Sequence, residues 1–373
     1  MRKELLKYIR SPISNTPLSL EVFEEGPLGK SPSHILSGRL YNSAGEEYPI
    51  ILGVPRLLTG KLLHNAVSRY PEWVAINKKH FNSLGKTLDS IDNSVVLHDA
   101  DGTKEQSQEM FGVSWNLFDN LDRVWKDIFN SYITPLLKLE DFHNKKVLDC
   151  GCGMGRYLYY LAEEGTDLSI GIDLSHAVDA AVKNVAHLEN VHIIQADIYS
   201  LPVPAIFDIV YSVGVIQHLP DPLKGFLSVA SRRKKKGGKI FATLYGKRHW
   251  SYNLVVGSLR HITIKMNTRM LYIFSFILTC LSRIMFDLPR RILTAIGLKK
   301  LGKLVPWSSY AHCPFRASHA DWYDRLAAPK TAYLTLNDGW EMLQKAECEK
   351  AYIYPRSGYG GKTMYHSWNL LGI

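Results

Sequence analysis

Five short apolar runs lie between Lys146 and Tyr245, separated by segments whose apolar residues recur with helical spacing. The runs are 146–150, 168–173 (LSIGID), 191–196 (VHIIQA), 207–213 (FDIVYSV) and 238–245 (GKIFATLY), with helices predicted near 155–164, 175–188 and 221–232. Short apolar runs joined by helices of about a dozen residues read as βαβ units on a parallel sheet. The flanks differ. Residues 17–58 are short apolar pieces broken by Gly and Pro, the pattern of a small β-rich module with tight turns. Residues 84–109 are polar and turn-rich and read as a loose connection. Helical periodicity returns over 113–139, where Trp115, Phe118, Leu121, Val124, Trp125, Ile128 and Phe129 recur at three and four. The tail predicts a helix over 338–346 and strands near 350–354 and 362–368, and the chain holds no internal repeat.

Composition narrows the picture in two places. With 46% apolar residues and 373 positions, the chain can bury a sizeable core in one large domain with a smaller companion. The five cysteines form no C-x-x-C pair, which favours a reducing, cytoplasmic compartment and disfavours a cysteine zinc site. Cys150 and Cys152 read as small residues in a crowded loop rather than a redox pair. The N-terminal MRKELLKYIRSPISN lacks the apolar run of a signal peptide. The longest greasy stretch, MLYIFSFILTCL from Met270 to Leu281, is twelve residues, short of the roughly 20 that a membrane crossing needs.

The loop after the first strand, Val147–Tyr157 (VLDCGCGMGRY), carries the chemistry. In open α/β sheets ligands bind at the carboxyl ends of the strands. A dinucleotide turn has the spacing G-x-G-x-x-G, so that helix N–H groups face a pyrophosphate. Here Asp149 precedes glycines 151, 153 and 155, and Arg156 stands where the third dinucleotide glycine would fall. An aspartate there repels a pyrophosphate and suits a cofactor with a cationic amine and a sulfonium. The second strand ends in Asp173, placed to accept from ribose hydroxyls, and the third in Ala196-Asp197-Ile198, where an acid can accept from an adenine amino group. Singly, each acid could be a solvated strand end or a helix cap; three at consecutive strand ends form a composite pattern.

VLDCGCGMGR, GIDLS, QADIYSLP, FDIVYSVGVIQHLPDP and KKGGKIFATLY together resemble the successive motifs of class I S-adenosylmethionine-dependent methyltransferases, over residues 146–245. The resemblance implies an α/β, Rossmann-like seven-stranded sheet with helices on both faces and an antiparallel last strand. To this fold the sequence adds the N-terminal β-rich module and a helical insertion after strand five. It places domains at 1–60, at 61–140 (linker and helical lid) and at 141–373. It also implies S-adenosylmethionine as cofactor, with the loop Asp149–Gly155, including Gly151 and Gly153, around the methionine part. Asp173 and Leu174 would hold the ribose, Asp197 the adenine amino group, and Ile198 would pack on the ring. Ser212, Val213, Gly214 and Val215 would line the donor side. GRLYNSAGEEYPIILGVPRLL (Gly38–Leu58) is similar to the zinc-ribbon-like activator module of certain tRNA and protein methyltransferases, but residues 1–149 contain no cysteine, so no cysteine zinc site is expected. FGVSWNLFD (111–119) resembles the helix preceding the catalytic sheet in such fused enzymes, a lid over the cofactor.

His218 follows strand four on the side where the donated group should emerge. It is the candidate base or acceptor-orienting group, with shaping of the turn before Pro220 as the bland alternative. Tyr157, Tyr245 and His249 are weaker candidates. The Asn/Asp-Pro-Pro-Tyr clamp of adenine-N6 enzymes is absent after strand four, which disfavours DNA adenine methylation.

Charge is concentrated in one segment. Between Gly246 and Lys303 eleven Lys/Arg face a single acid, Asp287, so this stretch carries the whole formal excess of +10. Two helices are predicted, near 250–263 and 268–286. A core-packed lid, peripheral contact with an anionic membrane through 246–305, and nucleic-acid contact all fit, with apolarity making the segment a poor track for phosphates. The run RRKKKGGK (232–239) reads as a solvated turn. The sequence therefore favours a small-molecule or lipid-linked acceptor hydroxyl or amine and disfavours nucleic acid. RNA methylation and a non-catalytic cofactor-binding scaffold are the alternatives.

Overall fold

The computed structural model describes residues 1–82, 103–246, 250–305, 313–328, 331–358 and 362–373. His249 and residues 84–102 of the expected connection lie outside them.

The central strands are β5 (Lys146–Cys150), β6 (Leu168–Asp173), β7 (Val191–Ala196), β8 (Ile209–Val213) and β9 (Lys239–Tyr245). They are buried along nearly their whole length, as parallel strands covered on both faces must be. They align in the order β7-β6-β5-β8-β9, all parallel. The crossover helices are α5 (Arg156–Glu163), α6 (Ala177–Val185) and α7 (Pro222–Ala230). A C-terminal hairpin, β10 (Ala351–Gly358) and β11 (Lys362–Gly372), completes the set, with β11 antiparallel between β9 and β10. Chain order reverses at β5, whose neighbours are β6 and β8, so the crevice at the carboxyl end of β5 is the sheet's topological switch point.

The N-terminal segment extends the same sheet. Strands β1 (Ser19–Leu28), β2 (Ser31–Tyr41) and β3 (Glu47–Ile51) form an antiparallel meander ending in β4 (Val54–Leu57), and β4 pairs in parallel with β7, giving eleven strands in all. Arg56 fixes this junction. Its fully buried guanidinium donates to Gln195 Oε1 (2.8 Å), the Ile51 carbonyl (3.1 Å), Tyr70 Oη (3.2 Å) and Asp179 Oδ1 (2.6 Å). Burial alone would raise the Asp179 carboxyl; Arg56 and the Tyr70 hydroxyl outweigh it and hold the group below its usual range.

Helices α1 (Gly60–Ser68) and α2 (Pro71–Asn77) follow β4, and two more between β4 and β5, α3 (Thr103–Leu117) and α4 (Val124–Ile133), cover the crevice. Helix α3 corrects the expected loose connection, because residues 103–109 belong to it and side chains that look merely polar in sequence pack against the sheet: Lys104 and Gln108 are buried. After β9 come α8 (Trp250–Thr263) and α9 (Thr268–Ser282), then a π turn over Arg283–Asp287 leading into α10 (Leu288–Ala295) without a break. The run Thr268–Ala295 is thus a 28-residue helix, long and apolar enough by length and composition to cross a membrane. The twelve-residue estimate fails because the π turn carries the helix past Leu281. Helix α11 (Lys299–Leu304) follows, then α12 (Phe315–Ala327), which returns to the crevice, and α13 (Leu336–Lys345).

Removing one partner of a buried ion pair costs about 3–5 kcal/mol. Arg56→Ala is expected to lower unfolding free energy by that amount in chemical denaturation. Because Asp179 has a depressed pKa, the pair's contribution is present at neutral pH and is lost as pH falls through that value. Wild type and Arg56→Ala should therefore converge in acid.

Candidate active site

At the carboxyl end of β5 the chain turns back on itself so tightly that only glycine serves. Gly151 has φ +94°, and a Cβ there would lie 2.2 Å from Val215 Cγ2. This close approach joins the loop after β5 to the loop after β8 and leaves a cavity bounded by both. Ser212 reinforces the junction by donating to the Cys150 carbonyl (2.7 Å), and the Gly214 N–H donates to Thr243 Oγ1 (3.0 Å).

Asp173 sits on the cavity wall and braces the loop. Its Oδ2 accepts from the Gly153 N–H (2.8 Å), and its Oδ1 accepts from the N–H (2.8 Å) and hydroxyl (2.6 Å) of Ser175. Asp197, one strand further, accepts from the Tyr199 N–H (3.0 Å) and pairs with Lys104 Nζ at 2.6 Å, whose ammonium lies 4.5 Å from the Tyr199 ring centroid. Ile198 and Leu174 face the same space. Of the other expected residues, Gly151, Gly153, Val213, Gly214, Val215 and His218 line the cavity, whereas Asp149, Gly155 and Ser212 support it from behind.

Asp149 is buried beneath the loop, where its carboxylate accepts from the Tyr211 hydroxyl at 2.8 Å. Burial pushes this carboxyl up to about 8, against the opposing pull of the tyrosine hydrogen bond. Cys150 and Cys152 are buried as well, and burial drives both thiols well above their ordinary value, so they serve as small packing groups.

Five residues of the cavity wall were not legible as site residues. Arg156, marked in sequence only by the glycine it replaces, is stacked among three rings: Trp125 at 4.1 Å, Trp115 at 4.2 Å and Tyr157 at 4.8 Å from its Cζ. Its buried Nη1 finds no hydrogen-bond partner among the described residues, leaving a donor in the cavity. Lys104 comes from the stretch read as a linker. Arg356 of β10 lies 4.0 Å from the Tyr132 ring and 5.5 Å from that of Tyr245. Helix α12 supplies Asp321 and Asp324 to the wall, and burial, with Asp321 one turn back, pushes Asp324 up to about 6. His218 lies between the Phe111 and Tyr245 rings (centroids at 5.4 and 6.0 Å), its Nδ1 3.3 Å from Thr331 Oγ1.

The glycine cradle against Val215, the carboxylates at two successive strand ends and the unsatisfied guanidinium fit a cofactor with an adenosine at one end and an amino acid at the other. Residues 148–242 match the family model described as a methyltransferase domain, and the chain carries a class I S-adenosylmethionine-dependent methyltransferase domain. Its cofactor is S-adenosylmethionine. The curated relatives include the tRNA U34 carboxymethyltransferases of Pseudoalteromonas translucida, 32% identical over 123 residues (32% of this chain, 38% of the relative), and of Vibrio vulnificus, 33% identical over 125 residues (32% and 37%). The chain thus spans less than two fifths of the length of these relatives. Among solved structures, the magnesium protoporphyrin IX methyltransferase of Synechocystis is similar at 14% identity and TM-score 0.39, over 72% of this chain and 96% of that one.

The likeness to tRNA enzymes overturns the expectation of a small-molecule or lipid-linked acceptor with nucleic acid disfavoured, and the alternative of an RNA acceptor is the better supported. The expectation rested on the apolarity of the insertion, but the described residues of 246–305 contribute nothing to the cavity wall, whose cations Lys104, Arg156 and Arg356 come from elsewhere in the chain.

Gly151→Ala is expected to abolish cofactor binding in calorimetry, since the added methyl meets Val215 at a positive φ. Asp149 titrates the opposite way to Asp179. A raised pKa means that the folded state holds the proton more tightly, so stability falls as pH rises from 3.8 towards about 8. The melting temperature of ligand-free Asp149→Asn should therefore gain on wild type across that interval.

Proposed function

We propose that this chain is an S-adenosylmethionine-dependent transferase acting on RNA, with tRNA as the substrate class. The observation that carries the acceptor is the 32–33% identity shared with tRNA-modifying relatives over about a third of the chain. In this reading Asp173 holds the ribose hydroxyls, Ile198 packs on the adenine, and the Asp197–Lys104 pair sets the polarity at the adenine edge. The loop Gly151–Met154 and the free donor of Arg156 take the amino-acid end, where a guanidinium complements a carboxylate. Val213, Gly214 and Val215 line the donor side.

The cofactor supplies an electrophilic carbon already activated on sulfur. What remains for the chain is alignment and the exclusion of water, and positioning alone is worth roughly 7–11 kcal/mol. The aromatic walls from α3 and α4 meet that need, since Phe111, Trp115 and Trp125 cover the crevice that the glycine loop leaves open. His218 is the acceptor-side base, held between two rings with one nitrogen facing Thr331, so that its orientation is fixed before an acceptor arrives.

With the transferable group of the cofactor labelled, tRNA incubated with the protein should gain label, and the mass of the modified nucleoside identifies the group added. A protein that binds the cofactor yet labels no RNA contradicts the acceptor reading. Hydrogen bonds to a charged group are worth about 1.5–3 kcal/mol, so Asp173→Ala should weaken cofactor binding by ~10–100-fold. His218→Ala should lower turnover by ~10²–10⁴-fold with cofactor affinity unchanged, and near-normal turnover would remove the base assignment.

A further inference from the structure

Helix α9 and its continuation through the π turn into α10 have their polarity turned inside out. The fully buried positions facing the protein are Leu271, Ser275, Thr279 and Asp287, three of them polar, flanked by the partly buried Phe274 and Leu278 packed on the core. The stripe facing away is Met270, Ile273, Ile277, Leu281, Ile284 and Leu288, at steps of three and four, each about half exposed (48–63%). A helix packed on a water-soluble domain shows the reverse arrangement. At 1.5 Å per residue this apolar stripe is about 27 Å long, and no carboxylate interrupts it, because the segment's single acid is the buried Asp287. Basic residues border it: Lys265 and Arg269 are exposed at one end, Lys299 and Lys300 beyond the other.

We infer that this face seats the protein on an anionic lipid surface, lying in the interface rather than crossing it. The orientation follows from the inner stripe, which is fastened to α12 along its length. Ser275 Oγ lies 3.0 Å from His319 Nε2, Trp322 Nε1 donates to Ser282 Oγ (3.1 Å), and Arg283 donates to Ser318 Oγ (2.7 Å) and the Cys313 carbonyl (2.6 Å). Helix α12 carries Asp321 and Asp324 into the cavity on its other side, so α9 cannot leave it to span a bilayer without dismantling the cavity wall. Charge chooses the occupant. A second copy of the chain would bring two uncompensated positive rims together. RNA would satisfy the cations but gain little from this mostly aliphatic face, since single strands bind by stacking on aromatic rings and the two there, Tyr272 and Phe276, already pack against Phe118, Phe315 and His319. Anionic headgroups over acyl chains match both features, as in interfacial helices generally. The contact concerns where the enzyme sits and is independent of the acceptor.

The test is flotation of the full chain with phosphatidylcholine vesicles, with and without phosphatidylglycerol. Wild type is expected to float with the anionic vesicles and to be released by salt. Ile277→Glu/Ile284→Glu, two exposed positions, should reduce binding by at least ~tenfold, as should Arg269→Gln/Lys299→Gln/Lys300→Gln, each with S-adenosylmethionine binding retained as evidence of folding. Failure of wild type to float, or flotation unchanged in the glutamate variant, would overturn the inference. So would a dimer in vesicle-free buffer that the same glutamates dissociate, because a second copy would then cover the face.

Discussion

The contact between Gly151 and Val215 is the constraint on which the rest of the site depends. At the switch point of the sheet the chain must leave β5 towards one side while β8 arrives from the other, and the two loops meet at a distance that excludes even a methyl group. That meeting sets the floor of the cavity. Asp149 and Tyr211 close the space beneath it, Ser212 ties β8 to Cys150, and Asp173 reaches across to the Gly153 N–H from the neighbouring strand. Asp173 braces the loop in the free protein and, in the proposed function, also presents lone pairs to the ribose.

A second layer of interactions couples the floor to distant parts of the chain. Gln195 accepts from Arg56 and donates to the Leu174 carbonyl (2.9 Å), so the N-terminal strands reach the cofactor side through one amide. Asn116 of the lid donates to the His176 carbonyl (3.0 Å), and Asn184 donates to the carbonyls of Met154 and Asp119 (3.1 Å each). The N-terminal segment, the lid and the glycine loop are thus held in one hydrogen-bonded frame. The inserted helices join it through α12, which has the cavity on one face and the inverted helix α9 on the other.

Much of this was legible in sequence because it is local. Strand limits at 146–150, 168–173 and 191–196 follow from short apolar runs, and Asp173, Asp197 and the glycines announce themselves at fixed distances from strand ends. What was not legible is contributed from far away. Lys104 meets Asp197 across 93 positions, and nothing in a polar, turn-rich stretch marks one lysine as a buried partner. Arg156 read as a missing glycine because its meaning lies in Trp115 and Trp125, which precede it on other helices. Asp321 and Asp324 reach the cavity only because α12 folds back over the crevice. The acceptor was misjudged for a related reason: overall charge and apolarity describe a surface, and say little about which groups line a cavity.

In the proposed function the crevice at the switch point holds an adenosine cofactor with its amino-acid end at the aromatic-caged Arg156. A crystal structure with S-adenosylhomocysteine bound tests it most directly. Ribose oxygens are expected within hydrogen-bond distance of the Asp173 carboxylate, the base against Ile198, and the ligand carboxylate on the Arg156 guanidinium. Density for the ligand elsewhere, or with its carboxylate turned towards Asp197 and Lys104, would contradict it.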